Sequence, residues 1–320
     1  MISKLSLFFV FFTIGMVVGS SDTPQYNKPT TLLTFGAYYQ EIDLTTGELI
    51  TSDPINGNWN VENLLSYDVE SKEALLVIQD FINGTYCISF NSDTAEYVEL
   101  GSNLINGSIV LDVLEQPYIF NEQTNTAYLI GMTLNNTNIA MIAMDFNQGY
   151  MYVDYYNFTG SESTTPAFVF NPSLNSISTI FADINSNAIY LTQVGFAGNK
   201  LLSQTPLVNL PEGLDSFILL NYYNGQLYGV FTYSNGFGVA IINTNGGVKV
   251  VYTMETATDT NTNPVVQGGD YYIFFTQTTN FNELEYTFFN MATLKEESSF
   301  TVKNPLFFVN FIKPSSEQLT

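Results

Sequence analysis

The chain has 320 residues, 45% of them apolar and 15% aromatic, with 8 Lys, no Arg, no His, 30 Asp plus Glu and a formal net charge of −22. Without His or Arg there can be no Ser-His-Asp or Cys-His nucleophile, no His-ligated zinc, no arginine clamp on a carboxylate or phosphate, and no histidine pH switch. A surface this acidic repels nucleic acid and anionic membranes and leaves cationic partners or divalent metal as the attractive ones.

Residues 1–20 read as a secretory signal peptide: Lys4, an apolar run from Leu5 to Val18, then small residues at Gly19 and Ser20. The run of about 14 residues is short of the ~20 that a spanning helix needs, and no second hydrophobic span follows, so no membrane span is expected in the mature chain. Removing Lys4 leaves 7 Lys against 30 carboxylates, or −23. A secreted or extracellular location follows, and an endolysosomal one would suit the acidic surface, because protonation there relieves self-repulsion. Residues 21–30, with Pro24 and Pro29, are expected to be a disordered lead-in, residues 31–313 a single domain, and residues 314–320 a polar tail.

The domain opens with three strand-like runs, Thr31–Phe35, Tyr38–Leu44 and Glu48–Ile50. A connection over Ser52–Asn60 carries Trp59, the only tryptophan; exposed it would be a sugar-stacking platform, buried a plug between sheets. Leu64–Leu100 then holds four short apolar runs separated by turn-like clusters, none long or periodic enough for a helix. That is one small antiparallel sheet, and variants of it recur.

Two signatures mark the repeat. In the first, an Asp or Asn ends one strand and a large apolar residue opens the next seven positions on: Asp68 and Leu75, Asn121 and Tyr128, Asp183 and Tyr190, Asn221 and Tyr228. Asp and Asn suit such a turn because their side chains bond the backbone two residues on. The second is an outer hairpin at Asp43–Gly47, Asn91–Ala95, Asp145–Gly149, Asn243–Gly247 and Asn290–Leu294, with starts 48, 54, 98 and 47 apart. The interval of 98 is twice 49, which places a degenerate copy near Gly198-Asn199-Lys200. A period of 40–50 residues with four strands per unit is the mark of a β-propeller.

The expected fold is therefore all-β: a propeller of six four-stranded blades, favoured over seven, with full units starting near residues 63, 116, 178, 216 and 263. The N-terminal piece has three strands and the C-terminal piece, Leu306–Ile312, has one, so the two ends should share a blade and leave no free edge. In the least regular unit, Ala167–Phe170 and Ile177–Phe181 are both strand-like and either could open the blade.

Four N-glycan acceptor triplets begin at Asn83, Asn106, Asn135 and Asn157. Cys87, the only cysteine, can form no intramolecular disulfide and reads as a buried small hydrophobe. Carboxylates and calcium are the chemistry left. Asp259, Asn261 and Asn263 alternate oxygen ligands with Asp270 at the twelfth position, but Pro264 stands where a calcium loop turns on glycine. Asp68 and Asp183 fall at matching repeat positions, which turn formation explains without catalysis.

The segment Ile42-Asp43-Leu44-Thr45-Thr46-Gly47-Glu48-Leu49 resembles the outer-hairpin motif of surface-layer and quinoprotein-like propellers. The resemblance implies a fold and no particular activity. Function follows from what remains: a secreted or cell-surface glycoprotein that binds a protein or glycan partner through one face of the ring. The alternative is a calcium- or carboxylate-dependent hydrolase or lyase at the mouth of the central channel. No other cofactor is expected. A ring of convergent carboxylates at the mouth would favour the enzyme; a face of Tyr, Phe and Asn would favour the binding module.

Overall fold

The computed structural model describes residues 26–35, 38–55, 59–68, 70–80, 84–99, 109–110, 119–121, 126–133, 139–145, 150–154, 167–171, 176–183, 188–195, 200–234, 236–255, 265–277, 283–303 and 309–312. All regular structure in them is strand. The strands are β1 (Thr31–Phe35), β2 (Tyr38–Asp43), β3 (Leu49–Pro54), β4 (Trp59–Asp68), β5 (Glu73–Asp80), β6 (Gly84–Asn91) and β7 (Glu96–Glu99). They continue with β8 (Ile109–Val110), β9 (Ile119–Asn121), β10 (Thr126–Thr133), β11 (Ile139–Asp145), β12 (Tyr150–Asp154), β13 (Phe168–Asn171), β14 (Ser176–Asp183), β15 (Ala188–Gly195) and β16 (Lys200–Pro206). The last are β17 (Leu214–Tyr223), β18 (Gln226–Tyr233), β19 (Gly236–Ile242), β20 (Val248–Glu255), β21 (Val265–Gly268), β22 (Tyr271–Gln277), β23 (Glu283–Asn290), β24 (Lys295–Lys303) and β25 (Val309–Ile312).

These strands form antiparallel sheets that follow one another along the chain, and the propeller class stands. The expected count of six four-stranded blades, or seven, is corrected. Five sheets have the four-stranded blade order: β25-β1-β2-β3, β4-β5-β6-β7, β13-β14-β15-β16, β17-β18-β19-β20 and β21-β22-β23-β24. The stretch between the second and third is built differently. Its inner position is split into β8 and β9, which pair opposite ends of β10, giving five strands in all.

The closure of the ring follows the expected arrangement. β25 pairs antiparallel with β1, Leu32 opposite Ile312 and Phe35 opposite Val309. β25 therefore supplies the inner strand of a blade whose other three strands come from the N-terminal end. In the irregular unit the blade opens at β13, and Ile177–Phe181 belongs to β14, so its start lies ten residues before the expected 178.

Burial follows each strand's place in its blade. The two middle strands are covered on both faces by neighbouring blades and are buried along most of their length, as in β1, β18, β19 and β23. The outer strands alternate or are mostly exposed, and β24 reads Lys-Glu-Glu-Ser-Ser-Phe-Thr-Val-Lys. Charge along an outer edge discourages pairing with another chain. Because side chains alternate across a strand, successive residues enter different interfaces. Leu32 joins the cluster shared with Tyr271, Ile273 and Phe288, while Leu33 joins the one shared with Leu64, Leu76 and Phe90. In the same way Phe231 packs toward Leu191 and Ala240, and Val230 toward Tyr272 and Phe274.

Residues 26–30 are part of this packing. Pro29 is buried and Tyr26 lies against the cluster of Tyr271 and Phe288. The Asn27 amide donates to Asp270 Oδ2 at 2.6 Å, and the Asp270 amide donates to the Asn27 carbonyl at 3.1 Å. The Leu44 amide donates to the Thr30 carbonyl at 2.8 Å. Lys28 Nζ sits 4.3 Å from the Phe288 ring centroid and donates to Ser298 Oγ at 3.0 Å. This strap joins the last blade to the shared one. Gly269 makes room for it: its φ is +54°, and a Cβ there would lie 2.1 Å from the Asn27 carbonyl oxygen. Gly269→Ala is thus expected to lift the strap, with the Leu44 and Asp270 amides exchanging hydrogen at least about tenfold faster. Unchanged exchange at both amides would show that the strap does not depend on this contact.

Two open alternatives resolve at side chains. Trp59 is buried and meets the Tyr97 ring edge-on, 5.5 Å between centroids, so it is a plug between strands. Cys87 is a free, buried thiol, and burial pushes its pKa up to about 12, which keeps it unreactive at neutral pH.

Candidate functional site

Strand direction divides the ring into two faces. Within each four-stranded blade, the first-to-second and third-to-fourth turns lie at one end. The second-to-third turn and the link to the next blade lie at the other. Asp68, Asn221 and Gln267 reach the first end, and so do the outer hairpins that begin at Asp43, Asn91, Asn243 and Asn290. Asp183 does not. It ends β14, a second strand, opposite Ala188, so it lies at the other end of its blade from the equivalents of Asp68. The matching positions expected for Asp68 and Asp183 are corrected accordingly: the shared spacing marks a turn in each case, but different turns.

On the first face the acidic and amide side chains serve their own turns. Asp43 Oδ1 accepts from the Thr45 amide and hydroxyl, both at 2.6 Å, and from the Thr46 amide at 3.2 Å. Asp68 Oδ1 accepts from the amides of Glu70 at 2.8 Å and Ser71 at 3.2 Å. Asn91 and Asn290 repeat the pattern, each Oδ1 accepting the amides two and three residues on. The Thr45 hydroxyl and amide hold the Asp43 carboxyl below its ordinary value, and the Ser71 and Glu70 amides do so for Asp68. Groups depressed in this way lend stability that is whole above the unfolded-state value near pH 4 and is lost as pH falls through the lower folded value. Asp68→Asn keeps both acceptor bonds without the charge. Its melting temperature at pH 7 is expected within about 2 °C of the parent, with a shallower decline between about pH 4 and pH 2. An acid limb identical to the parent's would remove Asp68 from the linkage.

The functional candidate is the end of β17, Asn221-Tyr222-Tyr223, with its Asn224-Gly225 turn. Asn224 at φ +48° and Gly225 at φ +76° form the tight hairpin that asparagine–glycine pairs favour. This inner strand reaches both neighbouring blades. Tyr222 Oη accepts from Asn171 Nδ2 at 3.0 Å and lies 3.0 Å from Ser178 Oγ, both in the preceding blade. On the other side, Asn221 Nδ2 donates to Met291 Sδ at 3.5 Å. Burial, and then the hydrogen bond to Asp270, push the Tyr223 phenol up to about 12. Tyr272 is fully buried nearby, its phenol held well above 10 by burial and eased by the Asn221 amide. Its hydroxyl still has no well-formed hydrogen bond among the described residues. The result is a surface of amides and phenols, with the half-buried Asp270 carboxylate against Tyr223 and with Asn224 and Gln226 exposed beside it.

Of the calcium candidates, Asp259, Asn261 and Asn263 lie outside the described residues. Asp270 lies in the turn after β21, beyond that strand from the other three, with Oδ2 taken by the Asn27 amide. Among the described residues no group of three or more Cys, Asp or Glu is placed to hold a metal ion. Asn83, Asn106, Asn135 and Asn157 also lie outside the described residues. No described helix is long and apolar enough to cross a membrane. The Tyr222–Asn171 contact was not legible beforehand. The Asn-Gly turn marked the hairpin, but nothing in the sequence pairs residues 51 positions apart.

Fold and closure define the class: this is a β-propeller. No family model matches the chain, and no curated protein matches it. Solved structures do. TolB from Acinetobacter baumannii is 13% identical with a TM-score of 0.51, over 88% of this chain and 65% of that one. A mutant of AofleA from Arthrobotrys oligospora is 14% identical with a TM-score of 0.52, over 77% and 74%. Exo-β-1,3-galactanase from Phanerochaete chrysosporium is 10% identical with a TM-score of 0.51, over 83% and 66%. The match spans just under two thirds of TolB and of the galactanase. At these identities the likeness speaks to fold alone.

Proposed function

We propose that this chain is a secreted or cell-surface glycoprotein that works as a binding module, with the partner held on the face carrying the end of β17. The observation that carries the reading is the chemistry of that face. The Asp43 and Asp68 carboxylates are committed to their own turns, while Asn221, Tyr222, Tyr223, Asn224 and Gln226 present amides and phenols. Such groups supply contact area and adaptable hydrogen bonds at little conformational cost. Of the glycan triplets, in chain order Asn83 falls between β5 and β6, Asn106 between β7 and β8, Asn135 between β10 and β11, and Asn157 between β12 and β13.

Expression in a secreting eukaryotic cell tests the address. The chain is expected in the medium without residues 1–20 and with a mass that falls on enzymatic deglycosylation. Retention inside the cell without glycan would overturn that part. Binding is tested by titrating fluorescently labelled protein onto cells. Saturable binding is expected to weaken at least about tenfold in Tyr223→Ala with Asn224→Ala, and to be unchanged in Tyr38→Ala, an exposed position at the other end. Equal loss in both variants would overturn the choice of face. A calcium-dependent rise in melting temperature that Asp259→Asn removes would favour the hydrolase instead.

A further inference from the structure

Asp270 stands where three parts of the ring meet: the N-terminal strap, the last blade and the end of β17. It follows Gly269 in the turn between β21 and β22 and is half-buried. One strap residue holds both its backbone and its side chain. The Asp270 amide donates to the Asn27 carbonyl at 3.1 Å, and Asp270 Oδ2 accepts from the Asn27 amide at 2.6 Å. The second bond is charge-assisted, the stronger kind, and together the two fix the direction in which the carboxylate points. The turn beneath is itself tied, with Gln267 Nε2 donating to the Gly269 carbonyl at 3.0 Å.

The same residue reaches the candidate binding face by two routes. Its carboxylate takes the hydrogen bond of the Tyr223 phenol. Its carbonyl accepts from the Met291 amide at 2.9 Å, and Met291 Sδ accepts from Asn221 Nδ2 at 3.5 Å. Asn221 and Tyr223 are two apart on β17 and so share one side of the strand, the side turned toward the last blade. The Asn224 side chain also bonds the Tyr223 phenol, but Asn224 is exposed at the tip of its turn. Of the two groups on the phenol, Asp270 is the one tied to another part of the chain.

From these contacts we infer that Asp270 is a positioning residue for the binding face, set in turn by the strap: Asn27 fixes the carboxylate, and the carboxylate fixes the Tyr223 phenol. The inference deepens the binding-module reading and rests on it. A face whose side chains are already held loses less freedom when a partner arrives. Releasing the hold therefore lowers affinity although no contacting group is removed. The coupling runs both ways, so a partner that engages Tyr223 in this orientation also tightens the strap.

The test uses the full chain and two readouts. The first is the magnetic-resonance signal of Tyr223 in protein carrying ring-labelled tyrosine, identified by its loss in Tyr223→Phe; it needs no partner. The second is titration of fluorescently labelled protein onto cells. Asn27→Pro removes the amide donor to Asp270 and leaves every group at the end of β17 intact. It is expected to shift the Tyr223 signal and to weaken cell binding about tenfold. Asn27→Ala keeps the amide and is expected to match the parent in both. Asp270→Ala should behave as Asn27→Pro does. Asp270→Asn, whose amide group can accept from Asn27 and donate to the phenol, should stay within about threefold of the parent. A merely structural strap predicts instead a lower melting temperature in Asn27→Pro with binding unchanged below the melt. A Tyr223 signal unmoved in both Asn27→Pro and Asp270→Ala overturns the inference. So does Asn27→Pro binding as the parent does while Tyr223→Ala with Asn224→Ala fails to bind, a result that keeps the face and removes the strap's hold on it. A parent that binds no cells overturns the binding face and with it the role of Asp270, whereas a shifted Tyr223 signal would still show strap and phenol coupled.

Discussion

A chain ending at Lys303 is expected to lose cooperative folding. The truncation removes β25, which pairs with β1 from Leu32 to Phe35 and also touches β21 and β4. Without it the shared blade loses its inner strand, and β1 presents an unpaired row of amides and carbonyls from a segment whose residues 32–35 are all buried. An apolar, unpaired edge of that kind seeks another chain. The damage is not confined to one blade, because Leu32 and Leu33 belong to the interfaces on either side of it. A native protein of this kind holds only about 5–15 kcal/mol of stability, and losing the closing strand should remove most of it. The expected result is an aggregated product, or a broad melt in place of a sharp one. A truncated monomer that melts sharply within about 3 °C of the full chain would show that closure by β25 is dispensable.

Phe90→Ala is expected to be the most damaging single substitution. Phe90 is fully buried and reaches across an interface, with its ring 5.8 Å from that of Phe35 and 5.6 Å from that of Tyr39. Both partners belong to the shared blade, so the cavity opens where the ring closes. Truncating a buried phenylalanine costs about 3–5 kcal/mol, the sum of lost transfer free energy and an uncollapsed void. For a domain of this size that lowers the melting temperature by roughly 5–9 °C. The paired control is Val98→Ala, 65% exposed on an outer strand, expected within about 0.5 kcal/mol of the parent. Thermal melts of the two variants check the prediction. A Phe90→Ala shift no larger than that of Val98→Ala would mean that this interface does not carry the closure.

Both expectations have the same origin. Sheets packed face to face leave every inner strand covered on two sides, and a ring so built is only as stable as its last interface. The N-terminal strap adds a second tie at the same place. Asn27 and Asp270 exchange backbone and carboxylate hydrogen bonds, and Lys28, one of 8 basic residues in a chain of net charge −22, lies over Phe288. Its place in chain order gives no hint of this, because Pro24, Pro29 and polar neighbours read as a linker.

Local chemistry decided much of the architecture. Asp43–Gly47, Asn91–Ala95, Asn243–Gly247 and Asn290–Leu294 all became outer hairpins, because an Asx side chain that bonds amides two or three residues on needs no distant partner: Asp43, Asn91 and Asn290 do so from the first position, and Asn245 accepts the Gly247 amide in the remaining hairpin. Alternation at period two likewise marked the strands, and the three-plus-one division of the ends made the β25–β1 pairing legible. What depends on contact between blades was hidden. The split inner strand at β8 and β9 reflects which segments can pair with β10, and the place of Asp183 depends on β13 having already opened its blade. The meeting of Tyr222 with Asn171 and Ser178 arises only when two sheets stack, since residues 44 and 51 positions apart share no local signal. Short-range hydrogen bonding is written into neighbouring residues; the packing of one sheet on the next is not, and the candidate binding surface lies where two sheets meet.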